Sequence, residues 1–209
     1  MFTNRPAVNN RPSAKTKDPL QSIAALETLG GVPADVYQIR DRVQKKLLSE
    51  TEGEVSIEHL PQMRQTIEAL FNQVLVDENL IYTRANRAIL LEWVIADILG
   101  YGPLEPLLQD NSITEVMVNG YDEVYIERAG MIEKTNVKFE NNSHVLRIID
   151  RIVSPIGRRV DEASPMVDAR LPNGYRVNAT IPPLALDGPL LTIRKFSKTP
   201  YTAQDLIAN

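Results

Sequence analysis

The stretch "DARLPNGYRVNATIPP", Asp168 to Pro183, alternates charged and apolar residues on both sides of a Pro-Asn-Gly turn, and its register decides what kind of sheet the chain builds. A two-residue Asn-Gly turn pairs Leu171 with Arg176 and mixes apolar with charged residues on both faces. A three-residue turn, Pro172-Asn173-Gly174, with Gly174 in the left-handed conformation, pairs Leu171 with Tyr175 instead. The faces then separate. Val167, Ala169, Leu171, Tyr175, Val177 and Ala179 line one side, and Asp168, Arg170, Arg176, Asn178 and Thr180 the other. Because the hydrophobic pattern sets the register, the three-residue turn is expected.

That register puts Arg170 directly opposite Arg176, and like charges across a ladder repel. Something must compensate. One solution is a solvated ion-pair face built with Asp168, Asp161 and Glu162. The other is an anion held by the fork-shaped guanidinium donors, with Arg194 of "LLTIRKF" joining from the next strand.

Upstream of the hairpin, "SITEVMVNG" and "DEVYIERAGMIEK" alternate or run apolar, with Asn-Gly and Ala-Gly at their turns, and read as strands. "NNSHVLRIIDRIVSPIG" has helical spacing, with Val145, Ile148, Ile149 and Ile152 inward. With strands at Met166–Leu171, Tyr175–Ile181 and Leu190–Phe196 the order is β-β-β-α-β-β-β. That is an α+β layer: an antiparallel sheet with a helix on one face.

Further upstream the period is helical throughout. "PADVYQIRDRVQKKLLSE" opens with Pro33 and sets Val36, Ile39, Val43 and Leu47 on one stripe. A second helix is expected over Pro61–Asn79, with Met63, Ile67, Leu70, Phe71 and Val74 inward. A third runs from the N-cap Thr83 to Leu99, with Gly100 just past its end. The expected organisation is a flexible leader over 1–32, a three-helix bundle over 33–99, a sheet domain over 100–198 and a linker over 199–209, with Thr202 as a further N-cap.

Composition narrows the function. The 209 residues include no cysteine, which excludes disulfides and thiolate metal sites and points to a reducing compartment. The two histidines, His59 and His144, are far apart without metal-ligand neighbours and read as surface residues, so no metal site is expected. "AILLEWVIADIL" is interrupted by Glu92 and Asp97 and is too short to span a bilayer. A net charge of -4 argues against a nucleic-acid binder. Charge is unevenly spread, however: Arg147–Lys198 carries nine Arg or Lys against five Asp or Glu. A basic segment in an acidic chain suits a local anion partner. No G-x-x-x-x-G-K-[ST] loop, G-x-S-x-G or His-Glu-x-x-His occurs, and no catalytic residue can be assigned.

The motifs "ILGYGPLEPLL", "ITEVMVNGYDEVYIERAG" and "LRIIDRIVSPIGRRVDEASPMVDARLPNGYRVNATIPPLALDGPLLTIRKF" together closely resemble the N-terminal portion of the CpaF/TadA-type ATPases, members of the type II/type IV secretion superfamily that power tight-adherence (Flp) pilus assembly. The resemblance runs from about Ile98 to Phe196 and more loosely over the helices. It implies a variable helical leader, a PAS-like N-terminal domain, and a RecA-like motor domain expected beyond Asn209. It implies a cytoplasmic homo-hexamer associated with inner-membrane platform proteins, with neighbouring subunits and the motor domain as partners and no nucleic acid. ATP and Mg would be bound only in the full-length context. By the same resemblance Arg176 in "GYRVN" and Arg194 in "TIRKF" approach the terminal phosphates, with Arg170 and Arg159 as further candidates. Asn173 and Tyr175 stand where the family more often has Asp and Ser. The chain alone, lacking the Walker motifs and the Asp and His boxes, is expected to be inactive. A stand-alone interaction module of a secretion assembly, without a nucleotide role, is the alternative.

Overall fold

A computed structural model describes residues 34–50 and 60–196. Within them the chain builds two hydrophobic cores joined by a buried charged junction.

The first core belongs to three helices. Helix α1 (Ala34–Glu50) buries Val36, Ile39, Val43 and Leu47, the stripe expected from their spacing. Helix α2 (Leu60–Asp77) turns Met63, Ile67, Leu70, Phe71 and Val74 inward against it. In α3 (Arg84–Leu99) Leu90, Trp93 and Val94 complete the cluster. Thr83 caps α3 by accepting a hydrogen bond from the Asn86 amide, which satisfies one of the orphan donors of the first turn. The Trp93 ring meets Tyr37 edge-on, with centroids 5.2 Å apart. The leader, His59, Pro33 and the residues after Phe196, Thr202 among them, lie outside the described residues.

After Gly100 comes a piece of helix without a periodic signal: a 3₁₀ turn at Gly102–Leu104 followed by the five-residue α4 (Glu105–Gln109). Strands β1 (Ile113–Asn119), β2 (Glu123–Arg128) and β3 (Met131–Lys134) then form a meander. Helix α5 (Asn142–Val153) follows, capped by Asn141, whose side chain accepts from the His144 amide. Strands β4 (Met166–Arg170), β5 (Arg176–Thr180) and β6 (Leu190–Arg194) complete the sheet. The strand order is β3-β2-β1-β6-β5-β4, antiparallel throughout, so the last described strand lies at the centre against β1. Val145, Ile148, Ile149 and Ile152 of α5 share a core with Val116, Val118, Val177, Ala179, Leu191 and Ile193. One face of the sheet is therefore covered, and the fold is α+β as the pattern of elements requires.

The β4–β5 hairpin has the three-residue turn. Arg170 pairs with Arg176 and Asp168 with Asn178, while the Leu171 amide donates to the Tyr175 carbonyl at 2.8 Å. Gly174 takes φ +89° with open space where a Cβ would stand, and the Asn173 side chain accepts from the Tyr175 amide. Asp161 does not join the arginines. Its carboxylate accepts the amides of Ala163 and Ser164 and shapes the loop leading into β4.

His144 is not a surface residue. It is 1% exposed, because it sits on the inward stripe of α5 one turn before Ile148. Its Nε2 lies 2.7 Å from Oδ1 of Asp97, itself 5% exposed near the end of α3. The approach departs from hydrogen-bond alignment, and neither atom has another partner, so each is the other's only polar neighbour at that distance. On the other ring nitrogen, Nδ1 receives the Glu140 amide at 3.4 Å. Arg40 of α1, 2% exposed, donates to Asp97 at 3.3 Å, to Glu140 at 2.7 Å and to Asp41 at 2.6 Å. Arg151 of α5 closes the group by donating to the carbonyls of Asp97 and Gly100. Burial alone would raise the Asp97 carboxyl, but His144, Arg40 and Arg151 outweigh it and hold it below the ordinary carboxylate range. Burial works against the Arg40 charge in the same way, and Asp97, Glu140 and Asp41 more than restore it.

Candidate functional site: an arginine row on the open face of the sheet

Strand alternation decides which side chains face away from α5. Val177 and Ile193 are fully buried against the helix, so their neighbours Arg176 and Arg194 stand on the opposite face, which no described element covers. In the β5–β6 register Arg176 pairs with Arg194, and in the β4–β5 register it pairs with Arg170. The three arginines thus form a row perpendicular to the strands. Continued across the sheet, the row runs from Arg194 to Glu115 of β1 and Glu127 of β2.

Three adjacent positive charges at strand spacing repel, and each has found a different compensation. Arg176 makes a two-pronged contact with Asp168, diagonally across the hairpin: Nε to Oδ1 at 3.1 Å and Nη2 to Oδ2 at 2.7 Å. This pair holds the Asp168 carboxyl below its usual range and the Arg176 guanidinium above its own. Arg194 donates through Nε and Nη2 to a single oxygen of Glu115, at 3.3 and 3.1 Å. Arg170 lays its guanidinium 5.2 Å from the centre of the Phe196 ring, a cation–π contact.

Arg159 stands apart. It is exposed on the loop between α5 and β4, which enters β4 at Met166, the strand end opposite Arg170. Lys195 also leaves the row. Its ammonium donates to the carbonyls of Leu107 and Asp110 and neutralises the C-terminal end of α4. Of the nine cations in this segment, three form the arginine row, Arg151 serves the junction and Lys195 caps α4.

Sequence reading missed the partners Glu115 and Phe196 and the whole Arg40–Asp97–His144 junction. For the junction a signal existed, since Asp97 continues the buried spacing of Leu90, Trp93 and Val94 and must therefore find partners. For Glu115 there was none, because its pairing with Arg194 joins residues 79 apart. Chemically, the row offers planar N–H forks on an uncovered surface, the donor geometry that suits phosphate or carboxylate oxygens. Among the described residues, no group of three or more His, Asp or Glu converges as metal ligands would.

Two family profiles match the chain: the N-terminal domain of type II secretion system protein E over residues 36–99, and type II/IV secretion system protein over residues 97–208. An uncharacterized protein of Methanocaldococcus jannaschii is 46% identical over 108 residues, which is 51% of this chain and 15% of that protein. Type IV secretion system protein VirB11 of Brucella suis is 35% identical over 104 residues, 49% of this chain and 29% of its own length. The chain thus spans less than a third of either relative. Among solved structures, the VirB11 ATPase from the Brucella suis type IV secretion system in complex with sulphate aligns over 51% of this chain and 32% of its own, at 33% identity and a TM-score of 0.47. Since the second profile alone takes in more than half of the 209 residues, the chain belongs to the type II/IV secretion system protein family.

Proposed function

We propose that this chain is the N-terminal part of a secretion or pilus-assembly ATPase of the CpaF type, and that its arginine row closes over the terminal phosphates of ATP held by a RecA-like motor domain following it. The observation that carries this reading is the alignment of Arg170, Arg176 and Arg194 in one row on the uncovered face. In this proposal the sheet unit is the PAS-like domain of the family, and the protein works as a cytoplasmic hexamer on an inner-membrane platform. No described helix is long and apolar enough to cross a membrane. The motor domain supplies the phosphate cradle and Mg. This chain supplies guanidinium charge at the γ-phosphate, where negative charge must be stabilised during phosphoryl transfer.

Full-length protein bearing Arg176→Ala or Arg194→Ala tests the reading. Each variant is expected to lose far more turnover than ADP affinity, because a guanidinium aimed at the γ-phosphate has no partner once that phosphate has left. Single arginines of this kind contribute roughly 10³-fold or more in rate; two sharing the task should each contribute less. Arg176→Lys should rescue poorly, since an ammonium cannot reproduce a planar fork. Near-normal turnover in both alanine variants would reduce the row to an ordinary ion-pair surface. Met166, Leu184, Leu186 and Leu190 are exposed apolar residues that favour a partner-docking role as a second reading. That role leaves turnover intact and is lost in a pull-down when Leu186 is made polar.

A further inference from the structure

Asp168 and Glu115 both neutralise an arginine of the row, but the structure holds them very differently. Asp168 and Arg176 are both widely exposed, at 44% and 62% of their side chains. The two prongs that Arg176 gives to Asp168 occupy its Nε–Nη2 edge, so a phosphate that takes the side-on, two-pronged grip must displace the carboxylate. One edge cannot serve both. Exposed pairs of this kind are weak, and neither strand need move for Arg176 to let go.

Glu115 is a different case. Its side chain is 13% exposed beneath an Arg194 that is 64% exposed. It stands in register between Arg194 on one side and Glu127 on the other. Were Arg194 to leave, a largely buried carboxylate would lose its counter-charge and keep Glu127, a like charge, in register beside it, which is costly. Arg194 therefore stays, and because Nε and Nη2 converge on one Glu115 oxygen, Nη1 takes no part in that contact.

We propose that Asp168 is an exchangeable counter-ion, displaced from Arg176 by an incoming terminal phosphate, and that Glu115 is a fixed post that aims Arg194 at the same phosphate. The proposal rests on the phosphate-facing role of the row and predicts opposite signs for two neutralising substitutions. In full-length protein, Asp168→Asn frees Arg176 and should lower the KM for ATP and the Kd of a non-hydrolysable ATP analogue about two- to fivefold, with ADP affinity unchanged. The gain should vanish when Arg176 is alanine, which separates release of that arginine from a general loss of negative field. Glu115→Gln keeps the shape, loses the post, and should lower kcat without tightening the ATP analogue; Glu115→Asp should restore part of the rate.

Several results overturn the proposal: an Asp168→Asn variant whose affinity for the ATP analogue is unchanged or weaker, a gain that persists in the Arg176→Ala background, or a Glu115→Gln variant with wild-type kcat. Failure of the row itself looks different. There Arg176→Ala and Arg194→Ala leave turnover intact, whereas failure of this proposal alone leaves those two variants impaired.

Discussion

Arg40 brings a full positive charge into the interior, and its environment rather than its exposure makes that tolerable. Removing one partner of a buried ion pair strands the other, at a typical cost of about 3–5 kcal/mol. Arg40→Met should therefore destabilise the protein on that scale in urea unfolding, since it strips Asp97 of its direct guanidinium partner and leaves it with His144 and the charge of Arg151. The exposed pair Lys46–Asp77 is the contrast. Lys46→Ala should cost less than about 1 kcal/mol in the same assay. Asp97 also links stability to pH. Its folded carboxyl titrates below the ordinary value of about 3.9, so its contribution is fully present above that pH and disappears as pH falls through the lower, folded value. Asp97→Asn should lower stability at neutral pH and flatten the acid limb of the stability curve. An unchanged acid limb would show that Asp97 does not titrate in this way.

At the scale of single elements, two glycines with positive φ separate backbone strain from crowding. Gly174 has empty space around it, so Gly174→Ala adds only the left-handed penalty, about 1–2 kcal/mol. At Gly102 a Cβ would also stand 3.1 Å from Oδ1 of Asp97 and 3.3 Å from Cδ1 of Ile148. Gly102→Ala should thus cost clearly more than Gly174→Ala, and equal losses of Tm in the two variants would contradict this. The hairpin around Gly174 was legible because period-two alternation and turn chemistry demand the same register. The helices were legible for a similar reason, with caps and apolar stripes in agreement. Helix α4 was not, since five residues hold less than two turns and show no period. His144 was misread although its place one turn before Ile148 marked the inward stripe; without a view of Asp97 nothing explained how a buried imidazole is satisfied. The candidate site was half legible. Its arginines declare themselves within strands, but their counter-charges depend on which strands become neighbours.

For the molecule as a whole, the junction ties the two cores together and should make them unfold as one. The single tryptophan, Trp93, reports on the helical core alone, whereas amide exchange in β1 and β6 reports on the sheet. In the native protein the two probes should give coincident unfolding curves. In Arg40→Met the Trp93 transition should move to lower urea and separate from the sheet. Coincident curves in that variant would mean that apolar contact, and not the charged junction, couples the cores. The central position of β6 has a consequence for biosynthesis. On the ribosome the β1–β3 meander emerges early, with one side of β1 unpaired until the residues of β6 arrive. A nascent chain stalled just before Leu190 should hold β1, β2 and β3 as a protease-sensitive meander and leave the β4–β5 hairpin undocked from it. β6, the last of the described strands to leave the exit tunnel, brings Arg176 and Glu115 to either side of Arg194, so the row is joined only once its residues have emerged.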